Sequence, residues 1–195
     1  MKRSILLVDP DSAHRANMAR NLTSNASRVA GEASEPDEAM RLAALTRPDV
    51  AIIATHFDSG DGAHLAGRLA SEHGIPSVLL SHSADLALAS RASEPGVMGL
   101  LVRPVDAATL HAVTEMAVCR FQETVALRKE VEGLRRLLES RKTIERAKGF
   151  LMEMEGIPEQ EAFARLRQKS MDTQRPMVEI ARAIILAAEV SGRMR

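Results

Sequence analysis

The side chains best placed to do chemistry in this sequence sit where short apolar runs end. Asp9 follows SILLV, Ser81 closes PSVLLS and Arg103 follows MGLLV, but the run VAIIA ends on Ala54. A carboxylate, a hydroxyl and a guanidinium brought together make a site for a charged group, whereas the methyl of Ala54 offers neither nucleophile nor ligand. Asp58 and Asp61 lie in the loop DSGDG, where aspartate is expected to form the turn by bonding to its own backbone. The six histidines, His14, His56, His64, His73, His82 and His111, show no metal-ligand spacing. No Ser-His-Asp or Cys-His arrangement stands out. Neither a metal, a cofactor nor an enzymatic activity is expected.

A second group of reactive positions lies near the other end of the chain. Arg141 and Lys148 are seven residues apart on one helical face, and Lys142 and Arg146 lie beside them at i, i+4 spacing. Guanidinium groups make bidentate contacts to phosphate or to a splayed base edge. Ala147 and Gly149 leave room for a nucleotide to approach the helix, with a packing role as the alternative for Ala147, and Gln174 and Arg175 extend the same surface. Glu145, Glu153 and Glu155 are close by, so the competing reading of each basic residue is an ordinary solvated charge.

The elements that must position these groups are legible from periodicity. SILLVDP, RVAGEAS, DVAIIAT, PSVLLS and MGLLVRP read as five strands with helical stretches between them. Met18, Ala19 and Leu22 share one helix face, and so do Ala39, Leu42 and Ala43. Continuous apolar strands suit a parallel sheet covered on both faces, in which functional residues gather at the carboxyl ends of the strands. The expected fold is therefore α/β, a doubly wound five-stranded parallel sheet, over residues 1–120. From Ala107 the chain reads as helix, and Leu127, Val131, Leu134 and Leu138 are spaced as in a heptad repeat interrupted by Gly133. Residues 121–140 are expected to be a coiled-coil linker helix that pairs two chains in parallel. Residues 141–195 parse into three helices, punctuated at Gly156 to Pro158 and at Arg175 to Pro176. Their expected core is Leu151 with Ala162, Phe163, Leu166 and Met171, then Met177, Ile180, Ala181, Ile184, Ile185 and Ala188.

Composition narrows the classes of function. The 195 residues carry no net charge, but 141–195 holds 11 basic against 8 acidic residues, a mild excess that places any nucleic-acid site in local arrangement rather than bulk charge. Four Phe with no Trp or Tyr leave little for the stacking platforms of RRM or OB folds. One cysteine, Cys119, excludes an internal disulfide framework. No apolar run approaches the roughly 20 residues that span a bilayer. With no leader-like start, a cytoplasmic location without membrane contact is expected.

On these residues two family resemblances rest. Residues 1–120 resemble the receiver domains of response regulators, which hold Mg²⁺ with paired acidic residues after the first strand. Receivers phosphorylate an aspartate after the third strand, sense the phosphoryl group with Ser or Thr after the fourth, and place Lys before Pro after the fifth. Here the positions hold Asp9 with Pro10, Ala54, Ser81, and Arg103 with Pro104. The C-terminal segment resembles the ANTAR module, named after the antitermination regulators AmiR and NasR and found also in NasT-like proteins. It does so through Ala147 to Gly149, Leu151, Met152, Glu161, Ala162, Met171 and Ala181.

The resemblance implies an antiterminator that binds paired stem-loops in nascent leader mRNA, as a homodimer, and touches RNA polymerase only indirectly. With Ala54 in place of the acceptor, it implies a pseudo-receiver that phosphate does not control. Control would then pass to a ligand-sensing partner, as in the AmiR branch, with an amide, nitrate or nitrite as the kind of signal. An adaptor whose tail serves only to dimerise is the alternative. DNA binding is disfavoured because the last helix is too apolar to read a major groove.

Overall fold

The computed structural model describes residues 2–24, 27–83 and 94–190. Five parallel strands form one sheet: β1 Ser4–Val8, β2 Arg28–Ala33, β3 Val50–Ala54, β6 Ser77–Ser81 and β7 Val97–Val102, in the order β2-β1-β3-β6-β7. Between them run α1 Ser12–Ser24, α2 Pro36–Thr46 and α3 Gly62–Arg68, the last continued by a π-helical turn over Leu69–His73. The helix expected between β6 and β7 falls on 84–93, outside the described residues.

Alternation along each strand divides the core in two. Leu6, Val8, Ala51, Ile53 and Leu79 face the cluster that includes Ala39, Met40, Leu65 and Leu69. Ile5, Leu7, Val50, Ile52, Val78 and Leu80 face Met18 and Leu22 of α1, and Leu110, Ala117 and Val118. Both faces of every central strand are buried, which is why the strands carry no polar alternation. The expected parallel, two-sided sheet is the one observed.

Helix starts follow from local chemistry. The Asp11 carboxylate accepts from the Ala13 and His14 amides at 2.8 and 3.1 Å and opens α1. Asp61 accepts from the Ala63 amide at 2.9 Å and caps α3. A short antiparallel pair not foreseen in the sequence, β4 His56–Phe57 with β5 Gly60–Asp61, folds the DSGDG loop back onto itself. Gly62 lets α3 start against the end of β3, because a Cβ there would lie 2.0 Å from the Ala54 carbonyl oxygen.

Helix α4 runs without a break from Ala107 to Glu155, so the segment expected as a linker and the first helix of the bundle are one element. Gly133 does not interrupt it. Compact units divide at Val125 and Ala126 within this helix. In the second unit α5 Glu159–Thr173 and α6 Met177–Val190 fold with the end of α4. Ala147, Leu151, Ala162, Leu166, Ala181 and Ile185 form its buried centre, with Met177, Ile180 and Ile184 packed against it. Two expected core residues are not there: Phe163 is 43% exposed and Met171 55%. On α5 the core stripe is set by Ala162 and Leu166, and a step of 100° per residue turns Phe163 and Met171 outward.

Candidate functional site

The carboxyl ends of the strands bring Asp9, Ala54, Ser81 and Arg103 to one edge of the sheet, as their spacing predicts. Asp9 is almost fully buried, and its Oδ2 is ion-paired with Arg103 Nη2. Its Oδ1 accepts from the Asp11 amide at 2.9 Å, and its carbonyl accepts from Arg15 Nη1. The second terminal nitrogen of Arg103 points to His14 Nδ1 at 2.6 Å and His82 Nε2 at 3.3 Å. Arginine only donates, so the facing nitrogen of each imidazole accepts. Spacing alone does not bring either histidine to this site; the signal in the sequence is position, His14 in the first turn of α1 and His82 directly after β6.

Ser81 turns back to its own loop, its Oγ donating to the Ser83 carbonyl at 3.0 Å and accepting from the Ser83 amide at 3.3 Å. Ala54 is 6% exposed and pairs with Leu80 in register. Among the described residues the donor set does not fit Mg²⁺, because a hard cation needs several free oxygens and one oxygen of Asp9 is committed to a guanidinium. Asp61 is spent on its cap.

In the helical unit the basic residues separate into two kinds. Lys148 is nearly buried, its Nζ donating to Glu145 at 2.7 Å and to Glu159 at 2.6 Å. Those two hydrogen bonds hold its pKa above the ordinary lysine value, and the same contact holds Glu159 below the usual carboxylate range. Arg146 pairs with Glu189 at 3.2 Å and lies 5.7 Å over the Phe150 ring. Lys142 pairs with Glu139 at 2.9 Å. Arg141 and Arg175 are exposed and form no ion pair among the described residues, and the same holds for Arg167. Gln174 closes α5 in the left-handed region at φ 52°, its amide donating to the Met171 and Ser170 carbonyls.

Ala147 requires a correction. Its side chain is fully buried in the three-helix core, so it packs the helices together and presents nothing to a nucleotide. Gly149, by contrast, is exposed, with open space where a Cβ would stand.

Residues Leu127, Val131, Leu134 and Leu138 lie 61%, 47%, 57% and 59% exposed along α4, with Leu137 beside them. Five large aliphatic side chains left in water within twelve residues are unusual on a single helix.

Comparison with known proteins follows the same division. A family model for the response regulator receiver domain matches residues 5–115, and one for the ANTAR domain matches residues 132–185. The transcriptional regulatory protein PdtaR of Mycobacterium tuberculosis is 34% identical over 183 residues, covering 94% of this chain and 89% of that protein. A nitrate regulatory protein of Klebsiella oxytoca is 45% identical over 56 residues, 29% of this chain and 14% of that one. Among solved structures, the signal receiver domain of a modulated diguanylate cyclase from Desulfovibrio desulfuricans G20 superposes with a TM-score of 0.59 at 30% identity, covering 64% of this chain and 99% of that one. This chain therefore belongs to the ANTAR response regulators, a transcription-regulatory family that joins a receiver domain to a C-terminal ANTAR domain.

Proposed function

We propose that this protein is an RNA-binding transcription antiterminator whose receiver-like domain is not switched by phosphate. The observation that carries the second half is Ala54: the last residue of β3 carries a methyl group, and Asp9 beside it is already neutralised by Arg103. The ANTAR match over 132–185 supports the first half. Residues 1–120 are the pseudo-receiver, 121–140 the linker and 141–195 the RNA-binding domain.

RNA contact is assigned first to Arg141, Gln174 and Arg175, which are exposed. Lys142 and Arg146 follow, since a phosphate can replace a surface carboxylate that contributes little to stability. Lys148 reaches RNA only by leaving Glu145 and Glu159, so its resting role is to hold α4 to the first turn of α5. Phe163 and Arg167, one turn apart on the outer face of α5, add a flat apolar surface and a guanidinium, the pair on which an unstacked loop base is held.

The stripe Leu127, Val131, Leu134 and Leu138 pairs two copies as a parallel coiled coil. A dimer offers two modules to two adjacent stem-loops, and the second contact gains from the effective concentration set by the first. A ligand-sensing partner protein controls access to the RNA, and the partner's signal is a small nutrient.

The decisive experiment compares binding to a leader RNA bearing two stem-loops, to its one-loop version and to duplex DNA, across a salt series and without a phosphodonor. Tight binding that needs both loops supports the reading; equal or absent binding to all three overturns it in favour of a protein-interaction adaptor.

A further inference from the structure

A cavity of about 330 Å³ opens beside the Asp9–Arg103 pair, between α1, the end of β6 and the segment leading from β7 into α4. That volume lies at the lower end of the range for small-molecule sites. Its floor and walls are apolar, made by Met18, Leu80, Pro104, Val105 and Leu110. Its polar groups are His14, Asn17, Asn21, His82 and Arg103. The apolar stripe of α1, Met18, Ala19 and Leu22, packs on the sheet, and the neighbouring face of the helix turns His14, Asn17 and Asn21 to the cavity.

The charge balance defines what fits. None of the described lining residues is a carboxylate. Asp9 has its Oδ2 engaged by Arg103, and Asp11 spends Oδ1 on backbone amides at the start of α1 while its Oδ2 lies 3.4 Å from His14 Nδ1. Among the described residues, the hydrogen-bond partners of Arg103 Nη1 are the two imidazole nitrogens, which are weaker partners for a guanidinium than a carboxylate.

From this geometry we infer that the cavity binds a small organic monocarboxylate with a compact apolar body. The carboxylate takes the place of the His14 and His82 ring nitrogens on Arg103 Nη1 while Nη2 stays on Asp9, and the Asn17 amide bonds the second oxygen. The apolar body lies against Met18, Val105 and Leu110. No covalent step is involved. Because Val105 and Leu110 flank the start of α4, occupancy is sensed by the first turns of that helix. This site stands independently of the RNA reading, since every residue in it belongs to the first compact unit.

The test titrates the full-length ¹⁵N-labelled protein with acetate, isovalerate and benzoate, and with the primary amide of each acid. The His14 and His82 ring resonances and the Asn17 side-chain amide are followed. Isovalerate or benzoate is expected to shift these signals and to bind about tenfold or more tightly than its amide, the difference a charge-assisted hydrogen bond makes. Acetate, lacking the apolar body, binds more weakly than either. Val105→Trp fills the cavity and abolishes binding, and Arg103→Gln abolishes the preference for acid over amide. If Arg103→Gln proves unfolded by its melting curve, Val105→Trp alone decides. Equal binding of acid and amide, carboxylate binding that survives Val105→Trp, or unmoved His14 and His82 signals with all three acids each overturns the inference.

Discussion

Arg103, arriving from the end of β7, is ion-paired with Asp9 at the end of β1, and both side chains are withdrawn from water, at 12% and 2% exposure. The two strands lie at different depths of the sheet, separated by β3 and β6. The pair thus ties the edge strand β7 to β1, three places away, across the place where Ala54 stands.

Removing one partner of this pair is more damaging than removing both. Arg103→Met leaves a buried carboxylate uncompensated and is expected to destabilise the receiver-like unit by about 3 kcal/mol. Combining it with Asp9→Asn recovers most of that loss. Urea unfolding of the two single variants and the double variant measures the coupling directly.

Restoring the missing carboxylate alone does not restore phosphorylation. In Ala54→Asp the residue after Asp9 is still Pro10 rather than a second acidic residue, and Asp9 is still held by Arg103, so no Mg²⁺ site is expected to form. Incubation with acetyl phosphate and Mg²⁺ is expected to add no mass to the intact protein; an added phosphoryl group at residue 54 would show that the pocket retained its chemistry.

On the RNA side, Arg141→Ala and Arg175→Ala are each expected to weaken leader binding and to lower the slope of log affinity against log salt by about 1. Phe163→Ala weakens binding with the slope unchanged, because stacking releases no counterions. Fluorescence anisotropy over a salt series separates the two effects.

Leu134→Glu places a charge in the middle of the exposed aliphatic stripe of α4. The helix persists, since glutamate is a good helix former, but the paired state is lost. Sedimentation equilibrium is expected to give a monomer, and two-loop RNA binding to fall to the level of a single loop. A variant that remained dimeric would remove this stripe from the interface.

The Lys148 contact gives the helical unit a defined pH response. The Glu159 carboxyl is held below its ordinary value of 4.5 by the hydrogen bond from Lys148, so its contribution is present above that pH and is lost as pH falls through the lowered value. The Lys148 ammonium is held above its ordinary 10.5, so its contribution is complete below that pH and is lost as pH rises through the raised value. Glu159→Gln is expected to flatten the acid limb of the unit's melting temperature against pH and to leave the neutral region of the profile level.

A substantial part of this protein follows from the sequence alone. Runs such as SILLV and VAIIA are short, rich in branched residues and without polar alternation, which suits strands of a parallel sheet covered on both faces. Ala54 is read as a missing nucleophile from its place at the end of such a run. The bundle's helix ends were equally plain, because Gly156, Pro158 and Pro176 leave the backbone little choice. What only the tertiary structure decided is which polar groups meet. Asp9 and Arg103 are 94 positions apart in the chain, and His14 joins them only because the first turn of α1 lies within reach of the Arg103 side chain. Spacing places Lys148 in the basic cluster or among solvated charges; that Glu159, eleven residues on, also holds it follows only once the chain turns at Gly156. Ala147 and Phe163 exchanged roles for a related reason: spacing fixes which residues share a helix face, but which face turns inward is set by the helices packed against it.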